Sequence, residues 1–220
     1  MEWVQDWVQD LKNIETKFKN EREKIMYYEE KFKSITDIDF FAIVMTKALE
    51  GELRSPFYAF RPLNKMSEVD TIDEYGYILI VQMNKLGFIT DDSQVGKGRP
   101  FIDKDNDIQR SYVSGFLPKK YITKGLHFKN FLCIRTPLLE KEKSGKYSYS
   151  RIPLTGCFTN LPIKMNSDIH FLAEDVSEEL WKKMIEKYDY VFMCDPVWGK
   201  RADGQNGLFT QIILHLQSLQ

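Results

Sequence analysis

The sequence predicts an α+β fold, in which an N-terminal helical hairpin precedes a mixed sheet with a central antiparallel hairpin and flanking helices. Three observations favour this class. Apolar residues recur at three- and four-residue spacing through residues 2–33. Strand-like segments at 88–95 and 109–117 flank a loop rich in Gly, Pro and Asp. Beyond residue 169, short apolar strands alternate with helical segments.

The first 33 residues are predicted to form one continuous amphipathic helix. Its apolar stripe consists of Val4, Trp7, Leu11, Ile14, Phe18, Ile25, Tyr28 and Phe32. The spacing follows a heptad register interrupted only at Glu21. Such a narrow stripe suits pairing with one other helix, either the next segment or a copy from another subunit. Packing within the chain is favoured, because the aromatic side chains are too large for a tight dimeric coiled coil.

The domain boundaries follow from the next segments. Residues 38–49 predict a second helix that Gly51 ends, which gives a helical hairpin at residues 1–51. A connector at 52–74 contains prolines and many charges, and a mixed α/β domain follows at 75–220.

The C-terminal third has the clearest alternation of elements. The predicted order is strand Ile169–Ala173, helix Ser177–Tyr188, strand Tyr190–Cys194 and helix Leu208–Leu219. Short all-apolar strands that alternate with helices predict parallel pairing of the two strands.

Composition favours an intracellular protein that is neither secreted nor inserted in a membrane. No run approaches the roughly 18 apolar residues of a membrane span. The first residues lack the basic and then apolar layout of a signal peptide. The three cysteines are widely spaced, which is typical of a reducing compartment.

The motifs of metal and cofactor sites are incomplete. Asp103, Asp105 and Asp107 copy the opening of a calcium loop, but Ile108 stands where the turn needs Gly, and Ser114 stands where a bidentate Glu belongs. No paired Cys or His spacing indicates zinc, and no phosphate-binding loop or nucleophile elbow is present in the sequence. The sequence therefore predicts no metal and no cofactor.

Polar residues are concentrated where the two arms of the central hairpin meet. Ser93 and Gln94 end the first arm, and Gln109, Arg110 and Tyr112 begin the second. Buried polar groups need partners, so we expect these residues to form a binding site. Arg110 either anchors an anionic ligand or bridges to an acidic residue of the first arm.

Acidic residues follow the two predicted C-terminal strands. Asp195 follows one, and Glu174 and Asp175 follow the other, at the strand ends where open parallel sheets bind ligands. They are candidates for a general acid or base, although the same residues also suit a turn or a helix start. Trp198 and Lys200 come next and could clamp a phosphate or a nucleobase, whereas Trp198 could equally cover the core.

Charge is unevenly distributed along the chain. Residues 110–151 carry ten basic and two acidic side chains, interleaved with aromatic residues, whereas residues 66–108 carry nine acidic and four basic ones. A basic and aromatic surface is typical of nucleic-acid binding. The alternative is a solvated face that balances acidic neighbours within one monomer.

Three ordered motifs carry a resemblance. Gly-Phe-x-Thr-x-x-Ser-Gln-x-Gly spans residues 87–96, Gln-Arg-x-Tyr-Val-x-Gly-Phe spans 109–116, and Asp-Pro-x-Trp-Gly spans 195–199. Together they resemble a domain family of unknown function that occurs in large DNA viruses and actinobacteria, over roughly residues 75–217. The resemblance implies that the hairpin and the Asp195 turn belong to one site or one structural keystone, and it favours a viral source.

Two classes of function follow from these observations. The first is a non-catalytic binding or assembly protein that contacts nucleic acid or a protein partner, or self-associates through its N-terminal helix. The second is a small enzyme for a nucleotide-like or other anionic substrate, with an acid or base near Asp195 and an anion anchor at Arg110. We favour the first, because the sequence contains no assembled nucleophile, metal or cofactor motif.

Overall fold

The computed structural model describes residues 2–55, 61–62, 74–96, 110–122, 130–141, 147–149, 151–155, 162–168 and 176–220. The chain divides into two compact units. The first combines Met1–Val69 with His170–Met184, and the second combines Asp70–Ile169 with Ile185–Gln220.

The fold belongs to the predicted α+β class. In chain order, the described elements are α1 (Glu2–Lys17), α2 (Glu21–Lys33), α3 (Ile38–Leu49), β1 (Arg54–Ser55), β2 (Arg61–Pro62), α4 (Glu74–Lys85), β3 (Ile89–Gln94), β4 (Tyr112–Pro118), α5 (Lys119–Ile122), β5 (Leu132–Pro137), β6 (Leu139–Lys141), β7 (Tyr147–Tyr149), β8 (Arg151–Thr155), β9 (Pro162–Asp168), α6 (Glu178–Lys187), β10 (Tyr188–Cys194) and α7 (Leu208–Ser218). Among these elements, no helix has the length and apolar character needed to cross a membrane.

The prediction of one continuous helix over residues 2–33 is wrong, because α1 and α2 are separate helices. The Asn20 side chain caps α2 by accepting a hydrogen bond from the Arg22 backbone N–H at 2.9 Å. The chain then folds back, so that the Tyr28 hydroxyl donates to the Leu11 carbonyl at 3.3 Å. The interruption of the heptad register lies where α2 begins.

The apolar stripe is covered within the first unit. Leu11, Ile14 and Phe32 are buried. The Trp7 ring meets Phe32 and Phe40 edge to face, with centroid distances of 5.8 and 5.2 Å. Packing within the chain is therefore confirmed for this stripe.

A buried arginine ties the end of α1 to the start of α2. Arg54 has only 4% of its side chain exposed and forms ion pairs with Glu15, at 2.6 Å, and with Glu21. Its guanidinium also lies 5.5 Å from the centroid of the Tyr28 ring. The contact fixes the reversal of the chain between the two helices, because one planar donor group bonds both carboxylates.

The first unit is completed by a distant stretch of the chain. The Ser177 hydroxyl, just before α6, donates to the Ile35 carbonyl, and the Lys183 ammonium donates to the Thr36 carbonyl at 2.8 Å. Ser177 also accepts from the Leu180 backbone N–H at 3.1 Å, as an N-cap does. The loop between α2 and α3 is thus held by residues more than 140 positions away.

The second unit contains a four-stranded antiparallel sheet in the order β3-β4-β10-β5. The predicted hairpin of 88–95 with 109–117 is confirmed as β3 and β4. The tip predicted at 97–107 lies outside the described residues. The smaller pairs β6–β7 and β8–β9 are also antiparallel.

The predicted parallel pairing of Tyr190–Cys194 with Ile169–Ala173 is wrong. Both edges of β10 bond antiparallel neighbours, β4 on one side and β5 on the other. No edge remains for a parallel partner, and the second predicted strand lies outside the described residues. Composition led to the error, since an apolar strand buried on both faces is typical of parallel sheets but is not unique to them.

The register assigns side chains to the two faces of the sheet. One face, named here the Tyr190 face, contains Tyr112, Ser114, Phe116, Tyr190, Phe192 and Cys194. On it the Phe116 and Tyr190 rings meet edge to face at 5.5 Å. The opposite face contains Val113, Leu117, Val191 and Met193, all of which are buried. Both faces of the central strands are therefore core.

A bulge in β3 brings a carboxylate into this sheet. Thr90 pairs with Gly115 and Asp92 pairs with Ser114, which leaves Asp91 as the extra residue. Gly115 has φ +152°, and a Cβ atom there would lie 2.2 Å from the Ile89 carbonyl oxygen. Only glycine lets β3 approach β4 this closely, and next to this approach Asp91 reaches the Ser114 and Tyr190 hydroxyls on the Tyr190 face.

We predict that Gly115→Ala will destabilise the chain by about 3 kcal/mol, because a side chain at this φ meets backbone atoms that cannot move independently. Gly204→Ala is the matched control, since a Cβ there has open space and the backbone has no positive φ. Urea unfolding of both variants measures the difference. Equal stabilities would contradict the close approach at the bulge.

Candidate functional site

Three segments of the second unit meet at one end of the sheet, and we name them the loop corner: residues 94–96, 110–112 and 195–202. The Asp195 backbone N–H donates to the Ser111 carbonyl at 3.0 Å, which extends the ladder between β10 and β4 by one bond. The Ala202 N–H donates to the Val95 carbonyl at 2.7 Å. These backbone bonds bring together the segments that contain the three sequence motifs.

Gly96 permits the loop to cross the end of β3. Its φ is +90°, and a Cβ atom at this position would lie 2.4 Å from the Lys200 carbonyl oxygen. The loop backbone therefore rests directly on the strand backbone, which fixes the position of residues 195–202.

Asp195, the predicted catalytic candidate of this segment, has both carboxylate oxygens engaged. Only 1% of its side chain is exposed. One oxygen, Oδ1, accepts from the Val197 backbone N–H at 2.9 Å, which is an Asx turn, and Oδ2 lies 2.7 Å from the Lys200 ammonium. This geometry holds the turn out of β10. The other predicted candidates, Glu174 and Asp175, lie outside the described residues.

The corner places cations over aromatic rings. The Arg110 guanidinium lies 4.4 Å from the centroid of the Trp198 ring, and both residues are half-buried. The Lys200 ammonium lies 5.3 Å from the centroid of the Phe131 ring. Such contacts pre-position the cations beside the rings.

The remaining predicted binding residues occupy different positions. The Tyr112 hydroxyl donates to Asp92 at 2.9 Å, and the Tyr112 ring stacks on Phe192. Gln94 is buried opposite Tyr112, and in the described part of the chain its amide nitrogen has no hydrogen-bond partner. Ser93 is half-buried on β3, whereas Gln109 lies outside the described residues.

Sequence reasoning missed a buried carboxyl group on the Tyr190 face. Asp91 Oδ1 lies 2.8 Å from the Ser114 hydroxyl, and Oδ2 accepts from the Tyr190 hydroxyl at 2.9 Å. Burial, together with the charge of Asp92, raises the pKa of Asp91 to about 7, against the opposing effect of these two hydrogen bonds. The feature of the sequence that could have indicated this buried carboxyl group is the pair of adjacent aspartates, Asp91 and Asp92, within a strand-like segment.

One described basic residue of the 110–151 segment lies far from Arg110. Lys119 follows the opposite end of β4, a strand that spans roughly 20 Å at about 3.3 Å per residue. It donates to the Ile185 carbonyl and lies 3.8 Å from Asp189, which also pairs with Arg135. The predicted cations Lys124, Lys129, Lys143 and Lys146 lie outside the described residues.

Comparison of the chain with protein-family models and with curated proteins found no match. The resemblance to the family of unknown function therefore stays a prediction. Across the described segments, His, Cys, Asp and Glu side chains form no group of three that could hold a metal ion.

We predict that Lys200→Met will destabilise the chain by about 2–3 kcal/mol, because it leaves the buried Asp195 carboxylate without its cation. Adding Asp195→Asn should restore part of that stability by removing the charge. Lys182→Met is the matched control, since its ion pair with Glu178 is fully solvated and its loss should change little. Chemical unfolding that shows no difference between Lys200→Met and the control would contradict the structural role of the pair.

Proposed function

We propose that the chain is a non-catalytic binding protein that holds a single-stranded nucleic acid at the loop corner. The observation that carries the proposal is the stack of the Arg110 guanidinium on the Trp198 ring. Bases of single strands stack on aromatic rings and on guanidinium planes, and phosphates bind the adjacent cations. The viral source that the resemblance favours stays an expectation.

Binding is favoured over catalysis by the state of Asp195. A general base must reach a substrate proton, whereas only 1% of the Asp195 side chain is exposed. The enzyme alternative would therefore need the turn around Asp195 to open before this carboxylate could act.

The N-terminal helices give less support to self-association. Half of the apolar stripe that would drive it, namely Leu11, Ile14, Tyr28 and Phe32, is buried within the first unit. Less apolar surface therefore remains on these helices for a second copy of the chain.

The charges at the corner predict modest electrostatic affinity. Lys200 pairs with Asp195, and Arg201 pairs with Asp203, so carboxylates neutralise two of the three cations of the corner. Stacking should therefore contribute more than counterion release. For a single strand, one phosphate contact gives a slope of about −0.7 in log affinity against log salt concentration.

We expect a fluorescently labelled single-stranded oligonucleotide to bind more tightly than the matching duplex at low salt, as measured by anisotropy. Trp198→Leu should weaken binding by roughly 5- to 100-fold, because base stacking contributes about 1–3 kcal/mol. Arg110→Ala should make the salt slope shallower by about 0.7, while Arg110→Lys should weaken binding and keep the slope.

Lys120→Ala is the matched control for these variants. Its ammonium also lies over an aromatic ring, 4.8 Å from the Tyr121 centroid, but at the opposite end of β4. It should bind as the unmodified chain does. The proposal fails if neither oligonucleotide binds at low salt, or if the duplex binds as tightly as the single strand.

A further inference from the structure

Two of the three buried aspartates of the sheet are matched by cations. Asp189, at the start of β10, pairs with Arg135 and lies near Lys119. Asp195, just beyond the end of β10, pairs with Lys200. In both cases the ionised carboxylate is compensated within the protein.

The third buried aspartate, Asp91, is surrounded differently. Its described contacts are the hydroxyl groups of Ser114 and Tyr190 and the neighbouring carboxylate Asp92. A carboxylate that loses water without gaining a cation is strongly disfavoured, and the usual response is to take up a proton.

The two oxygen atoms around the Ser114 hydroxyl fit the same state. The Ser114 oxygen lies 2.8 Å from Asp91 Oδ1 and 3.4 Å from the Asp92 carbonyl oxygen, both of which are acceptors when Asp91 is ionised. A hydroxyl group carries one hydrogen and can donate to only one of them. If Asp91 is protonated, it donates to Ser114, and Ser114 donates to the Asp92 carbonyl. Tyr190 donates to Oδ2 in either case.

We propose that Asp91 is a proton-binding site that is occupied in the folded chain near neutral pH, and that loss of this proton loosens β3 from β4. The effect should reach the loop corner. Strand β3 lies at the edge of the sheet and bonds only β4 among the described strands. Gln94 and Gly96, which belong to the corner, follow Asp91 within five residues. The consequence for ligand binding rests on the proposed function, whereas the protonation does not.

Among the described groups around this site, Asp91 is the one that we expect to titrate near neutral pH. Tyr190 keeps its proton, because burial and the nearby carboxylates raise its pKa well above 10. Desolvation raises the pKa of Asp92, and its bond from Tyr112 opposes that rise. Ser114 does not ionise in this range.

The sign of the pH dependence follows from the raised pKa of Asp91. The folded chain binds this proton more tightly than the unfolded chain, so the contribution to stability is full below about pH 4. It is lost as the pH rises toward 7, the pKa of Asp91 in the folded chain. Over this range the folding equilibrium should fall by roughly a thousandfold, since each pKa unit of difference corresponds to a factor of ten.

Urea unfolding of the full chain between pH 5 and pH 8.5 tests the proposal. Asp91→Asn should flatten the pH dependence and be more stable than the unmodified chain at pH 8, because the amide is neutral and can donate to Ser114 as the protonated acid does. Asp92→Asn is the matched control and should keep most of the pH dependence. The proposal is overturned if Asp91→Asn keeps the full pH dependence of the unmodified chain.

A measurement on the unmodified chain covers the case in which Asp91→Asn does not fold. Carbon-13 labelling of aspartate allows each carboxyl group to be titrated by NMR. One resonance should titrate near pH 7, and a chain in which every aspartate titrates below pH 5 would overturn the proposal.

The affinity for the single-stranded oligonucleotide, measured at pH 6 and pH 8, then tests whether the proton on Asp91 affects the loop corner. If the NMR titration confirms the proton on Asp91 but the affinity is the same at both pH values, only the coupling to the loop corner is refuted. If the oligonucleotide does not bind at either pH, only the proposed function is refuted.

Discussion

The burial of β10 along its whole length depends on matched charges at its two ends. Asp189 at its start and Asp195 beyond its end are both buried, and each meets a cation from another part of the second unit. Without those cations, either carboxylate would be an uncompensated buried charge, a defect that strongly destabilises proteins. The strand between them can then be entirely buried and bond β4 and β5 along both edges.

The elements that the sequence predicts well are those set by local pattern. The hairpin of β3 and β4 follows from two strand-like arms and a Gly-, Pro- and Asp-rich loop, and α3, α6 and α7 follow from local helical patterns. The prediction of one continuous helix over residues 2–33 was wrong because two helices that pack on each other need the same apolar spacing as one long helix. The distinguishing signal was local: Asn20 is a good N-cap and a poor interior residue.

The candidate site was predictable in part, for a similar reason. Short motifs named Gln94, Arg110, Tyr112, Asp195, Trp198 and Lys200, and the backbone ladder brings them to one end of the sheet. The bond between Asp91 and Tyr190 joins residues 99 positions apart, so no local pattern in the sequence indicates it. The pairing direction of β10 could not be predicted from the sequence either, because apolar strands form parallel and antiparallel pairs alike.

The contact of Ser177 with the loop after α2 has a consequence for synthesis on the ribosome. Helices α1 to α3 emerge early, but the hydroxyl that bonds the Ile35 carbonyl lies 142 residues further along the chain. At about 5–20 residues per second, translation of that interval takes roughly 7 to 30 seconds. During that time the loop between α2 and α3 lacks its bonds to Ser177 and Lys183, so the first unit is completed only when the last fifth of the chain is made.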